Sequence, residues 1–454
     1  MKLTPTFIAS CGPPSSLGEK LKSTVGRCLV CHRSCPAEVW TDGEEEPRKV
    51  HLKRSCAEHG EQWSILSSDS RFYWTSHGPE RDGACCGGGI CDPSEGAVER
   101  LSTCLALIEI VNSCNLKCPT CFADSPVGVG QSVDAVPLDQ IQQRIQGVID
   151  RKGGIEILQL SGGEPTLHPD FFELVRWVNA HPGIDYVLIN TNGVRLANDS
   201  EFLAGMREVV NLGHMQAYLQ FDGTGETAQR NLRGGDLRDL KRRAVENCGE
   251  IGLPITLAMT VVPDNLGEIW ETIEFGLRYP QVRGVSFQPM FGSGRVGNLM
   301  GDRLNVADIV IAAVEQSRGT LKYADFTPLP CGDPNCATIG YLLKMGGAVR
   351  SISDFVDFSV VQGFLADRVR YSMEDLEHCG CESEPLGALL KQFELDASHT
   401  FRLFIKPFMD AHTWDDDRIS RCCTHVIRPD GKLDSFCRYY SGFPDAAASL
   451  RTGC

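Results

Sequence analysis

Six short apolar runs between residues 105 and 290 constrain this chain most. They are LALIEIV (105–111), IEILQLS (155–161), YVLINT (186–191), AYLQFD (217–222), ITLAMTVV (255–262) and GVSFQP (284–289). Amphipathic patterns of helical period separate them, over 138–151, 170–180, 199–210, 236–251 and 266–279. Strands alternating with helices at this spacing predict βαβ units and a parallel sheet, hence an α/β fold. Six strands fit a partial (β/α)6 barrel; an open doubly wound sheet is the other arrangement. In a barrel, chemistry gathers at the C-terminal ends of the strands. NSCNLKC directly follows the first run and GGEPT directly follows the second.

The flanks read differently. Residues 1–83 are polar and broken by Gly and Pro, which predicts a small metal-stapled module, since so short a segment has little core. Residues 84–104 form a Cys-rich linker, 105–300 the barrel, and 301–454 a helical and Cys-rich region. FGSGRVG (291–297) reads as a flexible loop. Helices are expected over 304–317, 337–345, 353–371 and 386–396, and no internal repeat is visible.

The chain has 454 residues, 21 cysteines and a formal charge of −15. That charge disfavours nucleic acid or an anionic membrane as the main partner. No apolar run has the length of an integral membrane segment, and the first twenty residues lack a secretory apolar region, so a cytoplasmic location is expected. In that reducing compartment cysteines read as metal ligands and not as a disulfide framework. Their clustering agrees: fifteen fall in groups at 28–56, 85–91, 114–121 and 422–437 and a pair at 331/336, and none lies in 122–247.

Each group has its own chemistry. CNLKCPTC places Cys114, Cys118 and Cys121 as C-x3-C-x2-C. A disulfide cannot use three thiols, and a structural zinc site wants four ligands. Three thiolates can hold three irons of a [4Fe-4S] cluster and leave the fourth open. Cys28, Cys31, Cys56 and His59 make C-x2-C-x24-C-x2-H, which fits one tetrahedral Zn²⁺ or a rubredoxin-like Fe. His32 and Cys35 are near enough in sequence to substitute. A structural staple is the simpler role there, and a one-electron relay is the competing one. Cys85, Cys86 and Cys91, in CCGGGIC, cannot complete a site alone; Cys331 and Cys336, in LPCGDPNC, are their natural complement for an auxiliary cluster. Free buried cysteines are the alternative. Cys422, Cys423 and Cys437 flank RPDGK, a hairpin-type turn, and suit another cluster or a soft thiophilic ion. Arg421 beside them is more often a solvated side chain than a carboxylate partner; His425 is also close.

CNLKCPTC, SGGEPTL (161–167) and NTNG (190–193), each at a strand end, resemble the radical SAM superfamily. The resemblance implies a [4Fe-4S] cluster whose open iron takes S-adenosylmethionine (SAM), and reductive cleavage of a C–S bond. It implies that Gly162, Gly163, Glu164 and Pro165 form the turn facing the methionyl amine, with the glycines permitting close approach. Phe122 is expected against the adenine, and Asn192 and Asp222 as ribose or methionyl contacts. Both of the last two also read as ordinary Asn-Gly and Asp-Gly turn residues. Over most of its length the chain is similar to the tetraether-lipid-synthase-like and radical SAM methyltransferase-like group. CLVC…CAEHG, VSFQPMFGSGR, FMDAHTWDDDRISRC and PDGKLDSFC carry that likeness. It implies a rubredoxin-like N-terminal site, auxiliary [4Fe-4S] clusters and bond formation at an unactivated alkyl carbon. The substrate would be a small molecule or lipid, and the electron donor external, such as flavodoxin or ferredoxin. Cys423 stands where the group often has an apolar residue. The extra thiol resembles the radical enzyme of arsinothricin biosynthesis, which implies transfer of the 3-amino-3-carboxypropyl group of SAM to arsenite. A lipid substrate would need an apolar channel, for which 337–371 and 386–405 are candidates. A non-enzymatic iron–sulfur electron carrier is the reading from another class, and the barrel argues against it.

Overall fold

The computed structural model describes residues 12–43, 46–75, 103–211, 213–296, 303–329, 332–345, 348–355 and 399–443. Four antiparallel strands open the chain: β1 (Leu17–Arg27), β2 (Ser34–Asp42), β3 (Val50–Cys56) and β4 (Gly60–Ser67), paired in sequence order. Their core is small, with Ala37, Val39, Val50 and Leu52 buried and Leu21, Leu66 and Tyr73 packed against them. A sheet of that size needs help from a metal or a neighbour.

The six apolar runs form six strands: β5 (Leu105–Val111), β6 (Ile155–Gly162), β7 (Ile184–Thr191), β8 (Met215–Gln220), β9 (Ile255–Val261) and β10 (Val282–Pro289). Each is parallel to the next. The helices between them are α1 (Leu138–Lys152), α2 (Phe171–Ala180), α3 (Val194–Asn198), α4 (Ser200–Val209), α5 (Glu226–Arg233), α6 (Arg238–Glu250) and α7 (Ile269–Leu277). Helix α1 buries Ile141, Ile145, Val148 and Ile149, one face of the helical period. It stops at Gly153, whose φ of 84° a Cβ would oppose. The pattern over 199–210 is the single helix α4, started where the Asp199 side chain accepts from Phe202 N; the short α3 before it was not foreseen. Helix α5 was not foreseen.

The C-terminal third does not build a sheet of its own. Past α8 (Val306–Gln316) come β11 (Thr327–Pro328), β12 (Thr338–Met345), β13 (Ala348–Ser351) and β14 (Thr400–Ile405). Strand β14 adds parallel to β10, and β12 adds antiparallel to β14. On the opposite edge β15 (Thr424–Ile427) lies parallel to β5, and β16 (Leu433–Ser435) pairs with β15. Both edges of the six-stranded core are thus covered by later chain, so neither presents unpaired backbone. Residues 338–345 are therefore a strand where the sequence suggested a helix. Their apolar run has no decisive period, and pairing with both β14 and β11 fixes the extended form. Of the other two helical expectations, 353–371 begins in a short 3-10 turn (Ile352–Asp354), and the rest of it and 386–396 lie outside the described residues.

The N-terminal sheet docks on the chain that follows β14. Lys22 pairs with Asp415 at 2.6 Å, and the Arg27 guanidinium lies over the rings of Trp414 and Phe443. Arg54, fully buried, donates to His412 O. No helix among the described residues is long and apolar enough to cross a membrane.

Candidate functional site

Two constellations of thiols differ in geometry. Cys28, Cys31, Cys56 and His59 offer four ligand atoms all within 4.8 Å of one another. Cys31 and Cys56 sulfurs are 4.0 Å apart, and His59 Nδ1 lies 3.6 Å from both Cys28 and Cys56 sulfurs. Zn–S bonds of about 2.3 Å arranged tetrahedrally put sulfurs about 3.8 Å apart, so the donor set fits one ion. The turns at β1–β2 and β3–β4 bring the two pairs together, the second through Gly60 at φ 69°. Cys35 stands outside this set; burial pushes its thiol up to about 11.

Cys114, Cys118 and Cys121 lie in the loop after β5 and line one cavity at the C-terminal ends of the parallel strands. Phe122, Gly162, Gly163, Glu164 and Asn192 line the same cavity. The fold itself requires the glycines: a Cβ on Gly162 would collide with Val111 O, and one on Gly163 with Ser113 O. They let the β6 turn cross against the backbone of the Cys loop, which Gly163 N and Glu164 N then bind through Val111 O (2.7 Å) and Ser113 O (2.9 Å). Glu164 is buried and faces four donors: Thr166 N and Oγ1, Thr191 Oγ1 and Asn192 N. Burial still pushes its carboxyl above the usual carboxylate range. Pro165 is buried in the short turn behind and does not line the cavity. Asn192 donates to Asn115 Oδ1 at 2.7 Å and reaches Cys114 Sγ at 3.6 Å. Burial raises the Cys114 thiol to about 11, so a bound metal must drive its deprotonation.

Asp222 does not line the cavity. It is fully buried, at φ 67°, and binds Arg233 through two bonds of 2.5 and 2.8 Å. Burial alone would raise its carboxyl; Arg233 outweighs this and holds it below the usual range. The group that reaches the cavity is Arg233, which the sequence reading missed, with Asp222 as its anchor. Lys241, also buried, donates to Asn192 O at 2.6 Å, and desolvation lowers it to about 8. Amide side chains complete the floor. Asn190, Gln220 and Gln288, which line the cavity, donate to Ser161 Oγ, Asp222 Oδ1 and Tyr218 Oη.

FGSGRVG is no free loop where it is described. Ser293 Oγ donates to Phe122 O (2.9 Å) and Tyr440 O (2.7 Å). Arg295 donates to Cys118 O (2.9 Å), Ser125 O and Asp124 (2.9 Å). Gly294 sits at φ 55°, where a Cβ would strike Cys121 O and Phe122 O. The segment clamps the Cys loop from the far side. Its G-S-G pattern signals a tight turn, and only tertiary contact reveals what the turn grips.

A third set gathers Cys336 with Cys422, Cys423 and Cys437. Cys422 precedes β15 and Cys437 opens α10 (Phe436–Ser441), so the hairpin brings both to one end. The Cys336 sulfur is close enough to raise both thiols further beyond what burial does, Cys437 to about 11. Gly332, in the loop leading to Cys336, lies with its Cβ direction 3.3 Å from Cys423 Sγ. Cys336 therefore sits with the C-terminal cysteines. Its suggested companions Cys86, Cys91 and Cys331 lie outside the described residues. Arg421 is not solvated: it is buried against Asp333 (2.7 Å) and Asp417 (2.6 Å). His425 is buried between Thr103 Oγ1 (3.0 Å) and Cys422 O (2.7 Å). The ring of Phe436, next to Cys437, is 5.8 Å from that of Phe122, next to Cys121. One aromatic wall, with Phe291, Phe408 and Tyr440, separates the two thiol sets.

Three thiols opening on a cavity at the strand ends coincide with a family match: residues 108–276 match the radical SAM superfamily model. Residues 20–68 match the HMPTM N-terminal zinc ribbon domain. Among particular relatives, 7,8-dihydro-6-hydroxymethylpterin dimethyltransferase of Methanocaldococcus jannaschii is 27% identical over 489 aligned residues, 92% of this chain and 93% of that protein. GTP 3′,8-cyclase of Chlorobaculum tepidum is 38% identical over 89 residues, 20% of this chain and 26% of that protein. Streptococcus suis SuiB aligns with a TM-score of 0.38 at 16% identity, over 48% of this chain and 46% of that one.

Proposed function

We propose that this enzyme cleaves SAM reductively at the three-thiol cavity and forms a new bond to an alkyl carbon of its substrate, as an alkylating or coupling transferase. The observation that carries the reading is the confluence of Cys114, Cys118 and Cys121 with the Gly162–Glu164 turn on one cavity that has no fourth thiol among its lining residues. Likeness over the whole length to a dimethyltransferase supports the transferase half. Cys114, Cys118 and Cys121 would hold a [4Fe-4S] cluster, which would supply one electron to a C–S bond of SAM. The chain's own residues orient and insulate. Asn192 and Lys241 fix the β7 turn against Cys114, and the Gly162–Glu164 turn offers its backbone edge to the methionyl amine. Arg233, anchored by Asp222, presents a cation to a carboxylate. Phe122, Met290 and Phe291 give the cavity an apolar side that keeps water from a reactive carbon. In this reading the set of Cys336, Cys422, Cys423 and Cys437 holds an auxiliary cluster, since four soft donors match four irons.

A second reading has its own observation. Cys423 is less buried than Cys422 and Cys437, and three converging thiolates suit trivalent arsenic. The enzyme would then move the aminocarboxypropyl group of SAM onto arsenite. One experiment separates the two: anaerobic reconstitution, then SAM and dithionite with and without arsenite, and mass spectrometry of the fragments. 5′-Deoxyadenosine, unaffected by arsenite and by Cys423→Ala, is the result expected for carbon chemistry. 5′-Methylthioadenosine that requires arsenite and disappears in Cys423→Ala moves the assignment to arsenic. Absence of both fragments in the wild type, with clusters intact, contradicts both readings.

A further inference from the structure

Arg418, in α9 (Asp416–Ile419), is buried at 6% exposure beside the four-thiol set. Its Nη2 donates to Cys336 Sγ at 3.7 Å, to Asn335 O at 2.9 Å and to Pro407 O at 3.5 Å. Its contact with a carboxylate is long, Nε to Asp333 at 3.9 Å, and Nε has no hydrogen bond. The neighbouring cations hold the carboxylates instead. Lys22 lies 2.6 Å from Asp415 and 3.2 Å from Asp417, and Arg421 bridges Asp333 and Asp417. Three buried or half-buried cations thus face three carboxylates, and Arg418 is the one whose nearest side-chain partner is a sulfur, with Asp333 farther off at 3.9 Å. The same guanidinium grips the backbone on both sides of that sulfur, at Asn335 and across to Pro407. Asp333 and Asn335 complete the cradle: Asp333 accepts from Asn335 N at 2.9 Å, and Asn335 accepts from Trp74 N at 2.8 Å.

We propose that Arg418 is a positioning residue that holds Cys336 in place as a ligand of the four-thiol centre and raises the reduction potential of the iron–sulfur cluster bound there. The proposal rests on the reading that these thiols hold such a cluster. A cation donating to a ligand sulfur stabilises the form that has gained an electron, here from dithionite, because that form carries more negative charge. The test uses full-length protein with Cys114, Cys118 and Cys121 all changed to Ala, so that the second centre titrates alone. Iron is counted first, and the midpoint potential is then read by EPR-monitored titration in Arg418, Arg418→Lys and Arg418→Gln versions. The expected result is unchanged iron and a midpoint in Arg418→Gln lower by at least about 59 mV, a tenfold change in a one-electron equilibrium. Arg418→Lys, which keeps the charge, recovers at least half of that shift. Equal midpoints in Arg and Gln versions overturn the role of Arg418 and leave the centre standing. If the Gln version does not accumulate, a Lys midpoint more than tenfold in equilibrium below that of Arg overturns the charge argument. Iron confined to the N-terminal site in the triple-Ala parent overturns the centre itself, and the proposal with it.

Discussion

The two thiol sets, at 28–59 and 114–121, use the same residue to opposite ends. Cys28, Cys31, Cys56 and His59 converge until every donor is within 4.8 Å of every other, a complete four-ligand set. Cys114, Cys118 and Cys121 converge on one side only. The other side of their site is a cavity walled by a Gly-Gly-Glu turn, four amides and an arginine. A closed set fixes backbone; an open set keeps a coordination position for something else. The scaffolds match the tasks. The closed set staples a four-stranded sheet with a four-residue buried core, whereas the open set sits on strands already held by the main core.

The sharpest way to break this contrast is to remove one thiol from each set. Cys118→Ala is expected to abolish SAM cleavage while the N-terminal ion stays bound, one per chain. Cys56→Ala is expected to release that ion and melt the N-terminal sheet, and to reduce cleavage at least tenfold less than Cys118→Ala does. Metal analysis with quantified SAM turnover checks both; equal losses of cleavage would erase the distinction.

The next test concerns how the open site is built. Asp222→Ala strands Arg233 without its buried partner and is expected to cost about 3–5 kcal/mol of stability, read from denaturant midpoints. An effect under about 1 kcal/mol would mean that the pair is solvated, in the range of surface ion pairs.

The smallest effect lies between the two regions, where Arg54 of the N-terminal sheet donates to His412 O. Burial, with repulsion from Arg303, lowers His412 to about 4 from an ordinary 6.5. Between pH 6.5 and 4 the unfolded chain therefore binds a proton that the folded chain refuses. Stability falls as pH drops through that window, by up to about 1.4 kcal/mol per unit for one proton. His412→Gln should flatten that part of the stability-against-pH curve. An unchanged slope would remove His412 from the docking account.

The six barrel strands were legible because each apolar run is short, separated by a clear helical period, and ended by a polar turn. The ligand spacing of both thiol sets was legible because C-x2-C and C-x3-C-x2-C are local. What stayed hidden depends on distant chain. Cys336 lies near Cys422 although the strands that follow them, β12 and β15, sit toward opposite edges of one sheet. Asp222 looks like a turn residue until Arg233, eleven residues on, turns back to meet it. Residues 338–345 carry no periodicity that separates strand from helix, and β14 decides the matter. Ser293 and Arg295 sit in a stretch whose glycines signal a turn and say nothing about the Cys loop it grips.

The central claim is that the three-thiol site is open and that SAM fills the opening. The direct measurement is the EPR spectrum of the reduced, reconstituted protein with and without SAM, in the wild type and in Cys118→Ala. The account predicts that SAM changes the g-values of a [4Fe-4S] signal in the wild type, and that this responsive signal is missing from the variant. A wild-type cluster signal indifferent to saturating SAM would contradict it.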